Sequence, residues 1–261
     1  MMGNIRKIVV FSGVFILLLS LANLNAQTVQ TKTTQTGTKS KQVNSKTKQS
    51  SKSAQKGAKT VKPEPKAEPA KKVRDPAVIT IGLQNWALAN LNVGAFRNGD
   101  TIPEAKSNKE WVSAGDAGKP AWCYYNNDLA IGKKYGKLYN WYAVNDPRGL
   151  APDGWAIASD EDWTKLANYL GGHGGVGTTM KSITGWDEGY NGTNQSGFTG
   201  FPGGYRIENG LFQNIGSTGI WWTSTENKSH EAFDHYLASG ANLGRSSSPR
   251  QRGESVRCLK Q

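Results

Sequence analysis

Residues 76–261 predict an α+β fold, and three observations carry that expectation. All nine Trp, all nine Tyr and five of the seven Phe fall in this stretch with 27 of the 31 Gly, a pairing suited to short strands and structured loops around bulky core rings. One segment has the punctuation of an amphipathic helix at both ends. The final third reads as a succession of strands. Two helices among short antiparallel strands are expected, within one domain by size.

Taken in order, Val78, Thr80 and Gly82 alternate with Ile79, Ile81 and Leu83, and Trp86 and Leu88 follow, which predicts an opening strand pair. A short helix is expected from Tyr139 to Val144, ahead of the Asp146-Pro147-Arg148-Gly149 turn. The second helix begins at Ser159. Ser159 can cap, Asp160, Glu161 and Asp162 lie in the first turn, Trp163, Leu166, Ala167 and Leu170 recur at helical spacing, and Gly171-Gly172 ends it. The three carboxylates look like a catalytic cluster, but the chemistry of a helix N-terminus accounts for them. Strands are expected at Ile220 to Thr225, Ala232 to Leu237 and Glu254 to Lys260.

The chain of 261 residues carries 32 basic and 20 acidic residues, a formal charge of +12. An excess of that size ordinarily points to a nucleic-acid or other anionic partner. Its distribution does not. Residues 76–261 have 17 basic and 17 acidic residues, while 27–75 alone carry +10. The N-terminal 26 residues read as a signal peptide: Arg6-Lys7, an apolar run from Ile8 to Ala22, and cleavage expected after Ala26. The run is shorter than the roughly 20 residues of a stable span, so an uncleaved anchor is the weaker reading and no permanent membrane span is expected after cleavage. No cysteine directly follows the apolar run, which argues against a lipid-anchored lipoprotein. Export, to the periplasm, the cell surface or the medium, argues against a nucleic-acid partner.

Residues 27–76 are built from Lys, Thr, Ser, Gln and Ala, have no aromatic residue and end Pro-rich. Such a composition cannot offset the entropy of ordering it, so a disordered linker is expected. It serves either as a soluble spacer or as a basic tether touching anionic envelope polymers.

A series of motifs then runs through 77–261: Gln84-Asn85-Trp86 with Asn90-Leu91-Asn92, Trp122-Cys123-Tyr124-Tyr125, Tyr135-Gly136-Lys137-Leu138-Tyr139-Asn140-Trp141, Pro152-Asp153-Gly154-Trp155, Ser159-Asp160-Glu161-Asp162-Trp163, Ser196-Gly197-Phe198, Pro202-Gly203-Gly204-Tyr205-Arg206, Trp221-Trp222-Thr223-Ser224-Thr225 and Ser255-Val256-Arg257-Cys258. In that order they resemble the Fibrobacter succinogenes major paralogous (FISUMP) domain, found in exported proteins of Bacteroidetes and their relatives. The resemblance implies a C-type-lectin-like fold, a group that includes formylglycine-generating enzymes and retroelement-diversified receptors. It implies no particular activity.

In a C-type-lectin-like fold the chain ends come together, so the resemblance makes a Cys123–Cys258 disulfide reasonable. Closing 134 intervening residues would stabilise by roughly 4–5 kcal/mol in the chain-entropy model. Two free buried thiols, or a reactive copper-holding pair, are the alternatives. Among the histidines, His230 and His235 are expected on opposite faces of a strand, and His173 solvated in Gly171-Gly172-His173-Gly174-Gly175. No convergent metal ligands emerge, and Ser224 lacks a nucleophile elbow. No catalytic residue is assigned.

Ligand candidates lie in two places. Trp186, Asp187, Glu188, Tyr190, Asn191 and Asn194 mix rings with carboxylates and amides, groups that stack on a sugar and bond its hydroxyls; as in C-type lectins, they are also the oxygen donors calcium prefers. The alternative is a loop ordered by its own turns with Trp186 buried. The second place is the late stretch from His230 to Arg252, with Arg245, Arg250 and Arg252 beside three serines; the resemblance implies interest in it, because the retroelement-diversified relatives build their ligand face from late strands near this region. Its alternative is a solvated loop. Of Trp221 and Trp222, one ring is expected in the core and its neighbour more exposed. The expectation is an exported, non-catalytic module that binds glycans or envelope or extracellular proteins, without a cofactor unless calcium. The rivals are an oxidase-like enzyme using Cys123 or Cys258, and a passive structural component of the envelope.

Overall fold

The computed structural model describes residues 75–261. The expected signal peptide and residues 27–74 of the expected linker lie outside the described residues. In chain order the elements are β1 (Val78–Ile81), β2 (Gln84–Ala87), α1 (Asn108–Asp116), β3 (Trp122–Cys123), a 3-10 turn (Tyr125–Asn127), α2 (Leu129–Tyr135), β4 (Leu138–Tyr139), α3 (Trp141–Val144), β5 (Trp155–Ile157), α4 (Asp160–Tyr169), α5 (Val176–Met180), β6 (Gly203–Arg206), β7 (Phe212–Ile215), β8 (Gly219–Lys228), β9 (Glu231–Leu237), β10 (Leu243–Pro249), β11 (Ser255–Val256) and β12 (Cys258–Lys260). The fold is α+β, with five α-helices among the described residues where the sequence predicted two.

Two four-stranded sheets organise it. One has the order β1-β2-β12-β5, so the opening strands flank the closing one, with Leu259 opposite Trp86. The other is β10-β9-β8-β11, antiparallel except where Ser255-Val256 runs parallel to Trp221-Trp222. The pairs β3–β4 and β6–β7 form small two-stranded sheets. The predicted final strand from Glu254 is thus two strands in different sheets, broken at Arg257.

Helix α4 forms as its sequence dictates. Ser159 Oγ accepts from Asp162 N, Asp162 answers at the Ser159 amide, and Trp163, Leu166 and Ala167 are buried. Gly171, at φ +112°, turns the chain out of the helix in the left-handed region that favours glycine. Helix α1 carries the same reciprocal cap between Ser107 and Glu110, although its apolar face is little more than Trp111.

The core divides around β8. Trp221 packs with Trp86, Trp163, Phe198 and Leu237, while Trp222 packs in a second cluster with Tyr139, Trp141, Trp155 and Val256. Both rings are fully buried, which corrects the expectation that one would be exposed. The run Ile220-Trp221-Trp222 is continuous rather than alternating, as befits a strand covered on both faces.

The expected disulfide is not formed: Cys123 and Cys258 are free and buried. Cys123 lies in a third cluster with Trp111, Tyr125 and Leu138, whereas Cys258 sits with Trp155 and Val256. The ends do come together, through β2 and β12, but Cys123 is on neither strand.

Arg257 fills the break between β11 and β12. Its guanidinium donates to the carbonyls of Ala87, Leu88 and Phe198 and to Asn90 Oδ1, which also accepts from Trp221 Nε1 at 2.8 Å. Lys137, Tyr139 and Asn140 are similarly buried and bonded to Asn92 Oδ1, Val93 O and the amide of Ala121. These motif residues hold loops to the core.

Candidate functional site

The site forms where the start of α4, the glycine loop after it, and the β9–β10 hairpin meet. Asp160, the first residue of α4, is positioned by the Ser159 cap. It accepts from His235 Nε2 on β9 at 3.0 Å and is clasped by Arg245 on β10 through Nε at 2.7 Å and Nη2 at 2.8 Å. His235 and Arg245 meet because they are register partners across the hairpin. Arg245 also lies 3.9 Å over the Phe233 ring.

His235 is buried flat against Trp163, with ring centroids 5.2 Å apart, and His173 stacks over it at 5.9 Å. Burial pushes the His235 imidazole down to about 4, against the pull of Asp160. Burial alone would raise the Asp160 carboxyl, but its bonds to Arg245 and His235 outweigh that and hold it below the usual range. At neutral pH the group is therefore a carboxylate–guanidinium pair with a neutral imidazole donating from Nε2. Nδ1 of that imidazole is buried without a hydrogen-bond partner.

Beside this cluster is a cavity of about 360 Å³, lined by His173, Tyr236 and Asn242 with glycine, alanine and leucine around them. Its rim is tied down. Leu243 N donates to His173 O at 3.0 Å and Gly177 N to Ala241 O at 2.7 Å; the buried Lys181 ammonium reaches the carbonyls of Ala238 and Gly240 at 3.1 Å each.

On the other face of β9, the buried Asp234 accepts from Ser246 Oγ at 2.5 Å and Ser248 Oγ at 2.8 Å. Arg252 bonds Ser248 Oγ and stands 4.0 Å from Glu254, whose two carboxylate oxygens are buried without hydrogen-bond partners. Burial, reinforced by the charge of Asp234, pushes the Glu254 carboxyl well above its ordinary range, and burial raises Asp234 too.

The structure distributes the sequence candidates unevenly. Trp186 is buried, its indole N–H donating to Gly200 O at 3.1 Å, so it does not share a surface with Asp187, Glu188 and Tyr190, which are exposed. Asn191 Oδ1 accepts from the Trp186 amide, and Asn194 is bonded twice to Thr199. That loop is ordered by its own turns. In the late stretch, Leu243–Pro249 forms a strand where a solvated loop was the alternative, and Arg245 reaches the site. His173 is half-buried against His235 rather than solvated. Burial pushes both cysteine thiols up to about 12. Among the described residues no group of three or more His, Cys, Asp or Glu side chains could hold a metal ion.

Asp160, His173, His235, Tyr236 and Asn242 are site residues that the sequence reading did not assign to a site. Asp160 was visible only as a helix-start acid; nothing in its local pattern separates it from Glu161, which pairs with Lys165, or Asp162, which caps.

Fold and site together define an aromatic-cored α+β domain that joins its opening and closing strands in one sheet and carries a small cavity at the end of another. The chain belongs to the family of the Fibrobacter succinogenes major domain, whose model matches residues 79–260. No curated protein and no solved structure matches the chain.

Proposed function

We propose that this chain is an exported, non-catalytic binding module that recognises a glycan or an envelope or extracellular protein through the surface formed by the β9–β10 hairpin and the glycine loop before α5. The observation that carries this reading is the cavity lined by His173, Tyr236 and Asn242 on a rim braced by main-chain bonds. A braced concavity is ready to bind without ordering costs. Its place on the late strands supports a C-type-lectin-like relationship, as does the pairing of opening and closing strands. The oxidase-like reading needs an accessible thiolate, and burial that pushes both thiols up to about 12 works against one. Calcium, if it contributes, would bind at the exposed Asp187–Glu188 loop rather than the cavity, whose lining has no carboxylate.

A glycan array and a pull-down with envelope extracts, run with the chain and with His173→Ala and Tyr236→Ala variants, test the reading. Enrichment that both variants lose is expected. If the chain enriches nothing, the binding role fails and a passive structural role in the envelope remains.

A further inference from the structure

The cavity beside His173 combines four features that together restrict what it can hold. Its lining contains no Asp, Glu, Lys or Arg. Two cations on the elements around it are already committed: Arg245 is clasped by Asp160, and the Lys181 ammonium is held by two hairpin carbonyls. An ionised ligand would thus give up hydration without meeting a free countercharge.

The polar groups that do line it supply both donors and acceptors. His173 Nδ1 lies 3.2 Å from Leu243 O, an arrangement that places the ring proton on Nδ1 and leaves Nε2 as an acceptor. Asn242 Oδ1 accepts from Gly175 N at 3.1 Å, so its amide NH₂ is left to donate. Tyr236 adds a phenol and an aromatic face. Its ring can pack this closely over the β10 backbone because position 244 is glycine, where a Cβ would stand 2.2 Å from the ring.

The volume, about 360 Å³, is at the small end of the range for small-molecule sites. An aromatic face beside one acceptor and one donor suits a ring that presents C–H groups on one side and hydroxyls at its edge.

We infer that the cavity lined by His173, Tyr236 and Asn242 is a subsite for an uncharged, hydroxyl-bearing ring, a neutral sugar unit, held without a metal ion. This rests on the binding role proposed above and narrows it. Tyr236 supplies the stacking surface, while His173 Nε2 and the Asn242 amide bond neighbouring hydroxyls as acceptor and donor. Binding by neutral groups resists salt, because no ion pair is screened, and resists chelators, because the wall offers no carboxylate.

The test titrates the full isotope-labelled chain with neutral tetrasaccharides of glucose, mannose or galactose, and with a galacturonate tetramer of the same length, following amide shifts. The expected result is that at least one neutral tetramer shifts His173, Tyr236 and Asn242, unchanged by EDTA or by raising salt from about 50 to 500 mM. Tyr236→Ala and Asn242→Ala should each weaken it at least tenfold, whereas Tyr190→Ala in the other loop should not. Shift mapping on the unaltered chain keeps the test decisive if a variant fails to fold. Binding by the acidic tetramer alone, loss with EDTA, shifts confined to other surfaces, or no response to any neutral tetramer would each overturn the inference. If no sugar binds but an envelope protein is still captured in a Tyr236-dependent way, the sugar subsite fails while the binding role stands; if nothing is captured, both fail.

Discussion

His235 is buried against Trp163 with its imidazole pushed down to about 4, whereas an unfolded chain protonates the same group near 6.5. As pH falls through that window the unfolded state takes up a proton that the folded state refuses, so stability is lost from about 6.5 down towards 4. The loss is on the order of 3 kcal/mol. His235→Gln, which can still donate to Asp160, should flatten this acid limb in urea titrations across pH; an unchanged limb would show that other groups set it. Glu254 acts in the opposite sense. Its folded carboxyl, raised by burial, keeps its proton above the unfolded value of 4.5, so folding is progressively disfavoured as pH rises past that value. Glu254→Gln replaces the acid proton with amide donors beside Ser248 and Asp234. It should be within about 1 kcal/mol of the parent near pH 5 and more stable by pH 9, a crossover that denaturation at the two pH values will reveal or refute. Neither behaviour was legible beforehand. His235 reads as one of two strand histidines, and Glu254 as an ordinary acid opening the final strand.

Among elements, α4 was readable because every signal for it is local: cap, first-turn acids, helical apolar spacing and terminal glycines all lie within 14 residues, 159–172. Helix α1 had its Ser107–Glu110 capping box in plain view but too narrow an apolar face to register as a helix. The strand β10 was hidden for a different reason. Arg245-Ser246-Ser247-Ser248 has no apolar alternation, and it is a strand because β9 offers a ladder and because Asp234 and Glu231 accept from the three hydroxyls. The junction between β11 and β12 depends on a single side chain. Arg257, pushed down to about 9 by burial, satisfies the carbonyls of Ala87, Leu88 and Phe198 and the side chain of Asn90. Arg257→Leu would remove the donor from the three carbonyls, each worth about 1–3 kcal/mol if left buried and unpaired, and would leave Asn90 Oδ1 to Trp221 Nε1 alone. We expect a loss of at least about 3 kcal/mol, measured by chemical denaturation, whereas a loss below 1 kcal/mol would mean that the loops find other donors.

Across the whole chain, charge and recognition should separate. The excess of +10 in residues 27–75 predicts that any adhesion to anionic polymers maps to that segment and weakens as salt rises, whereas binding at the neutral domain's cavity should persist. Retention on an anionic resin over a salt gradient, with and without residues 27–74, checks this; retention unaffected by removing the segment would refute it. The α+β class, the family and the neutrality of residues 76–261 follow from the sequence alone, because composition and motif order are local properties that need no knowledge of what touches what. Tertiary structure decided the rest. Whether Trp186 and Trp222 are platforms or core, whether Cys123 meets Cys258, and which of three adjacent acids clasps Arg245 all depend on pairings between residues far apart in the chain. Asp160 and Arg245 are 85 positions apart and meet only because β9 and β10 fold back over the start of α4. A linear pattern records the chemistry of each group but not its partner, and at this site the partner determines the charge, the exposure and the ligand that can fit.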